Sequence, residues 1–287
     1  MKFSEIRIIF QDVDGCLNPA DGEDFGVTPD WEPTPTQIQM LKNIDQALDE
    51  SPIEHFVINT GRFWPILESL VRHFESPKVR YFVMEHACVV HDRLEGENLD
   101  LVALSKACGL EDLAERYRSL TSMEALLRWY DEQGQQAMEE LYAMPMPRLD
   151  KVGNLSFAIP EGFTSEQVLA AIEAEAKAGL PEKDFQKLEF CCSDRFIDIL
   201  PGIHKMDGIE LMCAHLGVEQ SNALAVGDYL NDLAVFEHFP QVMCPSNAHP
   251  RIKELTESKG SGGHLSSQAY GQSLIELLRH LPQADAH

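Results

Sequence analysis

One short stretch predicts both a buried strand and a polar site at its end: Ile6-Arg7-Ile8-Ile9-Phe10-Gln11-Asp12-Val13-Asp14-Gly15. Its apolar first half has the length and β-branched content of a buried strand. Residues two apart in an extended chain point to the same side, so Asp12 and Asp14 face one spot if the extension continues. Two carboxylates this close are unfavourable unless a cation lies between them or one takes a proton. Taken alone, the stretch favours a strand that ends in an ordinary acidic turn.

The composition is that of a soluble globular protein and excludes some partners. Of 287 residues, 44% are hydrophobic and 24% are charged, enough for one large domain or two moderate ones. The formal net charge of -24 argues against a nucleic-acid or anionic-membrane partner, because either would need a basic face. We see no membrane-span pattern and no signal-peptide pattern. Seven scattered cysteines indicate reduced thiols, so we expect a cytoplasmic protein.

Strand-like and helix-like segments alternate at both ends of the chain. Thr34 and Gln37 predict a helix start with a capping box, and the segments around it predict strands. Such alternation predicts an α/β fold with a Rossmann-like parallel sheet and right-handed crossovers. We assign residues 1–86 and 202–287 to this catalytic core.

The middle of the chain, residues 87–201, differs in character and predicts an inserted α+β domain. Residues 99–142 are mainly helical by pattern, and Thr164 starts a helix with a second capping box. The segments Phe185–Cys192 and Phe196–Leu200 predict an antiparallel hairpin around Ser193-Asp194-Arg195. Arg195 is either a solvated turn residue or a residue that reaches from the inserted domain to the polar site at the strand ends.

The loop over residues 16–33 is rich in Asp, Gly and Pro. It is either a solvated surface loop or a flap beside the acidic pair, and Phe25 and Trp31 would give such a flap apolar contacts.

Four polar features lie where predicted strands end or helices begin. They are Asp12 with Asp14, the loop Thr60-Gly61-Arg62, Lys205, and the run Gly227-Asp228-Tyr229-Leu230-Asn231-Asp232. Ligands bind at the carboxyl ends of strands in open α/β sheets. Phosphoryl transfer to water needs a nucleophile such as a carboxylate, a cation to neutralise phosphate oxygens, and donors that hold the phosphate. Mg²⁺ takes oxygen ligands and keeps several waters, so two carboxylates and a carbonyl suffice.

These motifs resemble, in order and spacing, those of the haloacid dehalogenase (HAD) superfamily of magnesium-dependent phosphatases. The DxDG motif matches Asp12 to Gly15, the Thr motif matches Thr60, the Lys motif matches Lys205, and the GDxxND motif matches Gly227 to Asp232. The position of the insert is similar to that of the large-cap (C2) branch, with its Cof-type and sucrose-phosphatase-like enzymes. The resemblance implies that residues 87–201 form a cap that determines substrate specificity.

The resemblance also implies catalytic roles. Asp12 would attack phosphorus, Asp14 would protonate the leaving group and then activate water, and Lys205 would pair with the phosphate and the nucleophile. The Mg²⁺ ligands would be Asp12, the backbone carbonyl of Asp14, and Asp228.

The remaining matched residues would bind phosphate or support the site. The phosphate would be held by Thr60, Gly61, Arg62 and Lys205, although Arg62 could instead hold the core together. Asn231 and Asp232 would support the metal shell or the lysine.

Two positions depart from the family pattern. Cys16 stands where relatives often have Thr, and we expect it to tune the turn rather than act as a nucleophile. Glu85-His86-Ala87 stands where cap-bearing relatives often have Asn-Gly, which puts local substrate contacts in doubt.

The leading hypothesis is a magnesium-dependent phosphatase that hydrolyses a small phosphorylated metabolite through an aspartyl-phosphate, and we expect a sugar phosphate. The alternatives are a phosphosugar mutase and a non-enzymatic metabolite-binding module on the same core. Haloacid dehalogenation needs no metal or leaving-group acid, so Asp14 and Asp228 count against it. The sequence predicts no particular oligomeric state.

Overall fold

The computed structural model describes residues 5–18, 32–118, 120–192 and 196–281. These residues form two compact units. The core unit contains the residues up to Leu99 and from Lys205 onward, and the inserted unit is Asp100–His204. The core unit extends beyond the predicted crossing at His86, because two further strands pair with its sheet.

Two sequence predictions concern residues outside these ranges. The flap residues Phe25 and Trp31 and the hairpin turn Ser193-Asp194-Arg195 lie outside the described residues.

The strands and helices are numbered along the chain. The strands are β1 (Ile8–Gln11), β2 (His55–Asn59), β3 (Tyr81–Met84), β4 (Val89–Asp92), β5 (Glu97–Asn98), β6 (Leu155–Ala158), β7 (Glu189–Cys192), β8 (Phe196–Leu200), β9 (Ala223–Val226), β10 (Val242–Cys244) and β11 (Gly263–Leu265). The helices are α1 (Pro35–Glu50), α2 (Trp64–Val71), α3 (Leu101–Ala107), α4 (Glu111–Arg118), α5 (Thr121–Trp129), α6 (Gln135–Tyr142), α7 (Ser165–Gly179), α8 (Glu182–Phe185), α9 (Lys205–Leu216), α10 (Leu233–His238), α11 (Pro250–Ser258) and α12 (Tyr270–His280). A π-helical turn at Tyr130–Gly134 joins α5 to α6.

The core unit contains one sheet with the strand order β11-β10-β9-β1-β2-β3-β4-β5. The strands from β11 to β3 are parallel, as the alternation predicted, and β4 and β5 add an antiparallel edge. In the register, Ile8 of β1 lies opposite both His55 and Ala223. The carboxyl ends of β1, β2 and β9 therefore lie level at one edge.

Helix α1 packs on this sheet through an apolar stripe of Met40, Leu41, Ile44 and Leu48. Its predicted N-cap is confirmed, because Thr34 Oγ1 accepts the Gln37 N–H at 3.3 Å.

The predicted reciprocal half of this capping box is wrong. The buried side chain of Gln37 instead donates to the carbonyl of Leu17 at 3.0 Å and to Asn18 Oδ1. The side-chain amide of Gln37, which would accept from the backbone of Thr34 in a capping box, therefore binds the turn that follows β1 instead.

The inserted unit has its own three-stranded antiparallel sheet, in the order β6-β8-β7. One face of this sheet, with Phe157 and Ile199, packs with Val168 and Ile172 of α7 in an apolar cluster. The predicted capping box at Thr164 is confirmed by both of its hydrogen bonds, at 3.0 and 3.3 Å. This unit therefore has a hydrophobic core of its own.

Two local predictions were wrong. Phe185 ends helix α8 rather than beginning a strand, and strand β7 begins at Glu189. The Gly/Ser-rich composition of Ser258 to Gly263 predicts a loop, but Ser258 ends α11 and Gly263 begins β11, where it pairs with Val242. Within the described ranges, the helices are too short or too polar to cross a lipid bilayer.

Candidate active site

Three neighbouring strands end at one edge of the core sheet, and a predicted site residue follows each of them. Asp12 follows β1, Thr60 follows β2, and Gly227 with Asp228 follows β9. Lys205 is the first residue of α9. Because ligands of open α/β sheets bind at this edge, the topology supplies the position of a site.

Asp12 continues the direction of β1, and its side chain is buried. Its N–H donates to the carbonyl of Val226 at 3.1 Å, in the manner of a further residue of the strand. Its carboxylate Oδ1 accepts the N–H of Val13 at 2.8 Å, and Oδ2 lies 2.8 Å from Lys205 Nζ. Both oxygens are therefore held in place.

Lys205 joins two carboxylates. Its Nζ lies 2.8 Å from Asp12 Oδ2 and 2.8 Å from Asp232 Oδ1, and the side chain is only 2% exposed. Burial by itself lowers the pKa of Lys205, but the two carboxylates outweigh it and raise that pKa, so the side chain stays an ammonium. Asn59 donates to the Lys205 carbonyl at 3.2 Å, which fixes the start of α9.

Asp232 contacts both the turn after β9 and Lys205. Its Oδ2 accepts the N–H of Asp228 at 3.1 Å while its Oδ1 contacts Lys205. A Cβ at Gly227 would collide with the Asp232 carboxylate, so this close approach needs glycine.

The carboxylate of Asp228 packs against the turn that follows β1. A Cβ at Gly15, whose φ is +70°, would collide with both Asp228 oxygens. Cys16 Sγ lies 3.8 Å from Asp228 Oδ1. Burial raises the pKa of Asp228 to about 8, and the charges of Asp12 and Asp232 act in the same direction.

Cys16 is buried in the same cluster. Burial and the neighbouring Asp228 carboxylate raise the pKa of the Cys16 thiol well above its usual range. A thiol in such surroundings stays protonated and is a poor nucleophile, in line with the sequence expectation.

The chemistry of these donors fits a divalent cation. Three buried carboxylates, those of Asp12, Asp228 and Asp232, lie in this cluster, and within the described ranges the ammonium of Lys205 is the one cation that pairs with any of them. Burial raises the pKa of Asp12 as well, although Lys205 opposes that effect. Donor atoms of Asp12, Asp228 and Cys16 lie within 4.8 Å of one another. A cation would relieve the excess negative charge, and the oxygens of Asp12 and Asp228 are the ligands that Mg²⁺ prefers.

Asp14 has surroundings unlike those of Asp12. Its carboxylate is 61% exposed and receives two hydrogen bonds from Arg62, from Nε at 2.9 Å and from Nη2 at 2.5 Å. The Arg62 side chain is only 6% exposed. Arg62 thus contacts the predicted acid–base residue, a contact that the sequence did not indicate.

The loop Thr60-Gly61-Arg62 is held by the turn Glu85-His86-Ala87. Glu85 N–H donates to the Arg62 carbonyl at 3.0 Å, and His86 N–H donates to the Thr60 carbonyl at 3.2 Å. The imidazole of His86 covers Gly61, where a Cβ would lie 2.6 Å from Nε2. All three turn residues have left-handed φ angles, of 50°, 56° and 74°. Such angles cost non-glycine residues of order 1–3 kcal/mol each and often mark functional regions.

The structure brings most predicted site residues together, with one exception. Asn231 is exposed, and its side chain makes no hydrogen bond to the described residues of the site. Its neighbour Asp232 occupies the position beside Lys205.

Two supporting residues were missed in the sequence. Gln11 donates to the Asp12 carbonyl at 2.8 Å. Asn247 donates to the Gly15 carbonyl at 2.8 Å and accepts the Tyr270 N–H at 3.1 Å. Asn247 lies shortly after β10 at the same sheet edge, so the rule that sites follow strand ends could have identified it.

Comparison with known proteins identifies one family. The sequence model of the haloacid dehalogenase-like hydrolase family matches residues 55–258. The phosphoglycolate phosphatase of Methanothermobacter thermautotrophicus is 27% identical over 79 residues, which are 28% of this chain and 33% of that protein. The HMP-PP phosphatase of Serratia proteamaculans is 29% identical over 84 residues, 29% of this chain and 31% of that protein. The chain thus spans about a third of the length of these relatives.

A solved structure matches nearly the whole chain. The sucrose-phosphatase of Synechocystis, solved with sucrose and phosphate, superposes with a TM-score of 0.62 at 15% identity. The match covers 97% of this chain and 98% of that protein. At this identity the match shows a shared fold.

Proposed function

Because the chain belongs to the haloacid dehalogenase-like hydrolase family, we propose that it is a magnesium-dependent phosphatase that hydrolyses a small phosphorylated metabolite through an aspartyl-phosphate. The observation that carries this proposal is the different surroundings of two carboxylates two residues apart. Asp12 is buried against the ammonium of Lys205, whereas Asp14 is exposed and bound by Arg62. Carboxylates in such unlike surroundings suit different chemical roles.

Asp12 is the nucleophile in this proposal. An oxygen of its carboxylate attacks phosphorus in line with the leaving group, and Lys205 compensates the charge of the transferred phosphoryl group. The side-chain hydroxyl of Thr60 hydrogen-bonds a phosphate oxygen. Asp12, Asp228 and the carbonyl of Asp14 would hold Mg²⁺, which would supply neutralisation of charge on the phosphate.

Asp14 carries the proton. It protonates the leaving alkoxide and then takes a proton from the water that hydrolyses the aspartyl-phosphate. Because the Asp14 carboxylate is exposed, both the leaving alkoxide and the water can reach it. The two hydrogen bonds from Arg62 keep it in one orientation. Arg62 is therefore a positioning residue in this proposal.

We further propose a sugar phosphate as substrate and the cytoplasm as the compartment. The fold shared with a sucrose-phosphatase supports the first assignment as an analogy. The second is supported by the seven cysteines, all of which are free thiols.

Phosphate release across sugar, polyol and nucleotide monophosphates, with Mg²⁺ and with EDTA, tests the proposal. We expect Mg²⁺-dependent turnover that is strongest on a sugar phosphate and is abolished in Asp12→Asn. Asp112→Asn, an exposed carboxylate of α4, is the matched control and keeps full activity. Negligible turnover on every ester would contradict the enzyme assignment. A requirement for a bisphosphate activator would instead indicate a mutase.

A further inference from the structure

The thiol of Cys16 lies inside the cluster that the proposed function assigns to Mg²⁺. The residue is 1% exposed, and its Sγ lies 3.8 Å from Asp228 Oδ1. A thiol is a weak hydrogen-bond donor, so this contact gives little stabilisation to a buried carboxylate. The described residues offer Asp228 no cationic side chain within ion-pair distance. The Cys16 sulfur therefore lies beside the Asp228 carboxylate, whose negative charge no nearby cationic side chain of the described residues balances.

The distances within the cluster fit a single metal ion. One ligand atom each from Asp12, Cys16 and Asp228 all lie within 4.8 Å of one another. A tetrahedral zinc ion binds thiolate sulfur at about 2.3 Å and carboxylate oxygen at about 2.0–2.2 Å, so its sulfur and oxygen ligands lie about 3.6 Å apart. Cys16 Sγ and Asp228 Oδ1, which are 3.8 Å apart, already lie near that separation, and an Asp12 oxygen lies within 4.8 Å of both.

The mixed donor set has a chemical consequence. Mg²⁺ takes oxygen ligands and makes no use of sulfur. Thiophilic cations such as Zn²⁺, Cd²⁺ and Co²⁺ bind thiolate strongly, and a thiolate with two carboxylates provides three ligands for them. A hydroxyl at position 16 would offer no such ligand.

We propose that Cys16, Asp12 and Asp228 form a high-affinity site for a thiophilic divalent cation, which competes with Mg²⁺ and inhibits the enzyme. On binding, the cation forms a bond to Sγ and the thiol proton passes to water. Because this cation uses the same Asp12 and Asp228 oxygens that the proposed function assigns to Mg²⁺, Mg²⁺ cannot bind while the thiophilic cation is held, and hydrolysis stops. This inference rests on the proposed function only for the inhibition; the thiolate site stands on the geometry of the three side chains.

The test is a Co²⁺ and Cd²⁺ titration of the full chain, followed by ultraviolet absorption and calorimetry. The variant is Cys16→Ser, which replaces one atom. The control is Cys191→Ser/Cys192→Ser, because this vicinal, half-buried pair is another place where thiols could take such a cation. Circular dichroism and Mg²⁺ affinity confirm that each variant is folded.

We expect the wild type to develop a thiolate-to-cobalt charge-transfer band that saturates at one equivalent. Cys16→Ser loses the band and binds Cd²⁺ at least about ten-fold more weakly, while its Mg²⁺ affinity changes less than about three-fold. The Cys191→Ser/Cys192→Ser control keeps the band.

The inference is overturned if Co²⁺ binds the wild type without the band, if the band survives in Cys16→Ser, or if the control abolishes it. These outcomes are separable from those that test the proposed function. Mg²⁺-dependent hydrolysis without a thiolate band contradicts only this inference, whereas a thiolate band in a protein without phosphatase activity contradicts only the proposed function.

Discussion

The guanidinium of Arg62 donates two hydrogen bonds to the carboxylate of Asp14, one from Nε at 2.9 Å and one from Nη2 at 2.5 Å. The arginine is buried and the aspartate is largely exposed. A planar fork of donors fixes a carboxylate in orientation as well as in position. The pair therefore holds the carboxylate that we propose as the proton carrier in one orientation and leaves it accessible to solvent.

Replacement of Arg62 by lysine removes this fork but keeps the positive charge. We expect kcat of Arg62→Lys to fall about ten- to a hundred-fold on an alkyl phosphate, whose leaving group needs a proton. On p-nitrophenyl phosphate, whose leaving group does not, the loss is less than about three-fold. Steady-state kinetics on the two esters measure the difference.

Arg7→Lys is the matched control for this experiment. Arg7 makes the same two-pronged contact with Glu54, with both distances 2.7 Å, at the opposite end of the same strands. It should leave kcat on both esters unchanged. Equal losses on the two esters in Arg62→Lys would show that Arg62 does not act through the proton of Asp14.

Much of this site was predictable because sequence and topology agree. Strand-like runs that end in Asp12, Thr60 and Asp228 place these residues at one edge of a parallel sheet. Lys205 directly follows no strand-like run, so its place in the site was predicted only from the order of the motifs in the family it resembles.

The rest depends on contacts between distant segments. Arg62 and Asp14 are 48 positions apart, and no local pattern pairs them. The left-handed turn Glu85-His86-Ala87 contains no glycine, so backbone propensity does not predict it. Gln37 fits a capping-box pattern, but a tertiary contact to Leu17 takes its side chain.

Replacement of Asp228 should have opposite effects on the stability of the cation-free protein and on its stabilisation by Mg²⁺. In the described part of the chain this buried carboxylate has no cationic partner at ion-pair distance, so Asp228→Asn should stabilise the cation-free protein by about 1 kcal/mol, which is about 2–4 °C in Tm. The rise in Tm that Mg²⁺ gives the wild type should be lost. Thermal unfolding with EDTA and with Mg²⁺ measures both effects.

Asp232→Asn is the contrasting variant, because Asp232 contacts the ammonium of Lys205 at 2.8 Å. It should lower Tm with EDTA, since it leaves a buried ammonium with one partner fewer. An Asp228→Asn protein that keeps the full Mg²⁺ shift would exclude Asp228 as a metal ligand.

A methyl group at position 61 tests the contact between His86 and the loop Thr60-Gly61-Arg62, for which we propose phosphate binding. The Cβ of Gly61→Ala would lie 2.6 Å from Nε2 and 2.8 Å from Cε1 of His86. We expect a loss of about 1–3 kcal/mol in the free energy of unfolding, because the buried ring must move. In Gly61→Ala/His86→Ala the clash is absent, so the double variant should lose less than the sum of the single ones. Additive losses in urea unfolding would disprove the contact.

The ion pair of Asp92 and Arg80 at the antiparallel edge predicts a pH dependence of stability. Arg80 donates to the buried Asp92 carboxylate at 2.9 Å and 2.6 Å, and these hydrogen bonds lower the pKa of Asp92 despite its burial. A folded-state pKa below the unfolded value of about 4 gives stability that is present above pH 4 and lost as the pH falls below it.

The variant Asp92→Asn should therefore be about 2 kcal/mol less stable than the wild type near pH 7, and the difference should shrink as the pH falls towards 3. Urea unfolding at a series of pH values measures it. A difference that is constant with pH would show that the charge of Asp92 contributes nothing.

Trapping of the phosphoenzyme tests the role of Asp12 most directly. Asp14→Asn should still accept the phosphoryl group from p-nitrophenyl phosphate, because that leaving group needs no acid, but it should hydrolyse the intermediate slowly. After mixing with ³²P-labelled ester and Mg²⁺ and quenching in acid, we expect a hydroxylamine-labile phosphoryl group on the peptide that contains Asp12. Release of p-nitrophenol by this variant without label on that peptide, or with label on another residue, would contradict the assignment of Asp12 as the nucleophile.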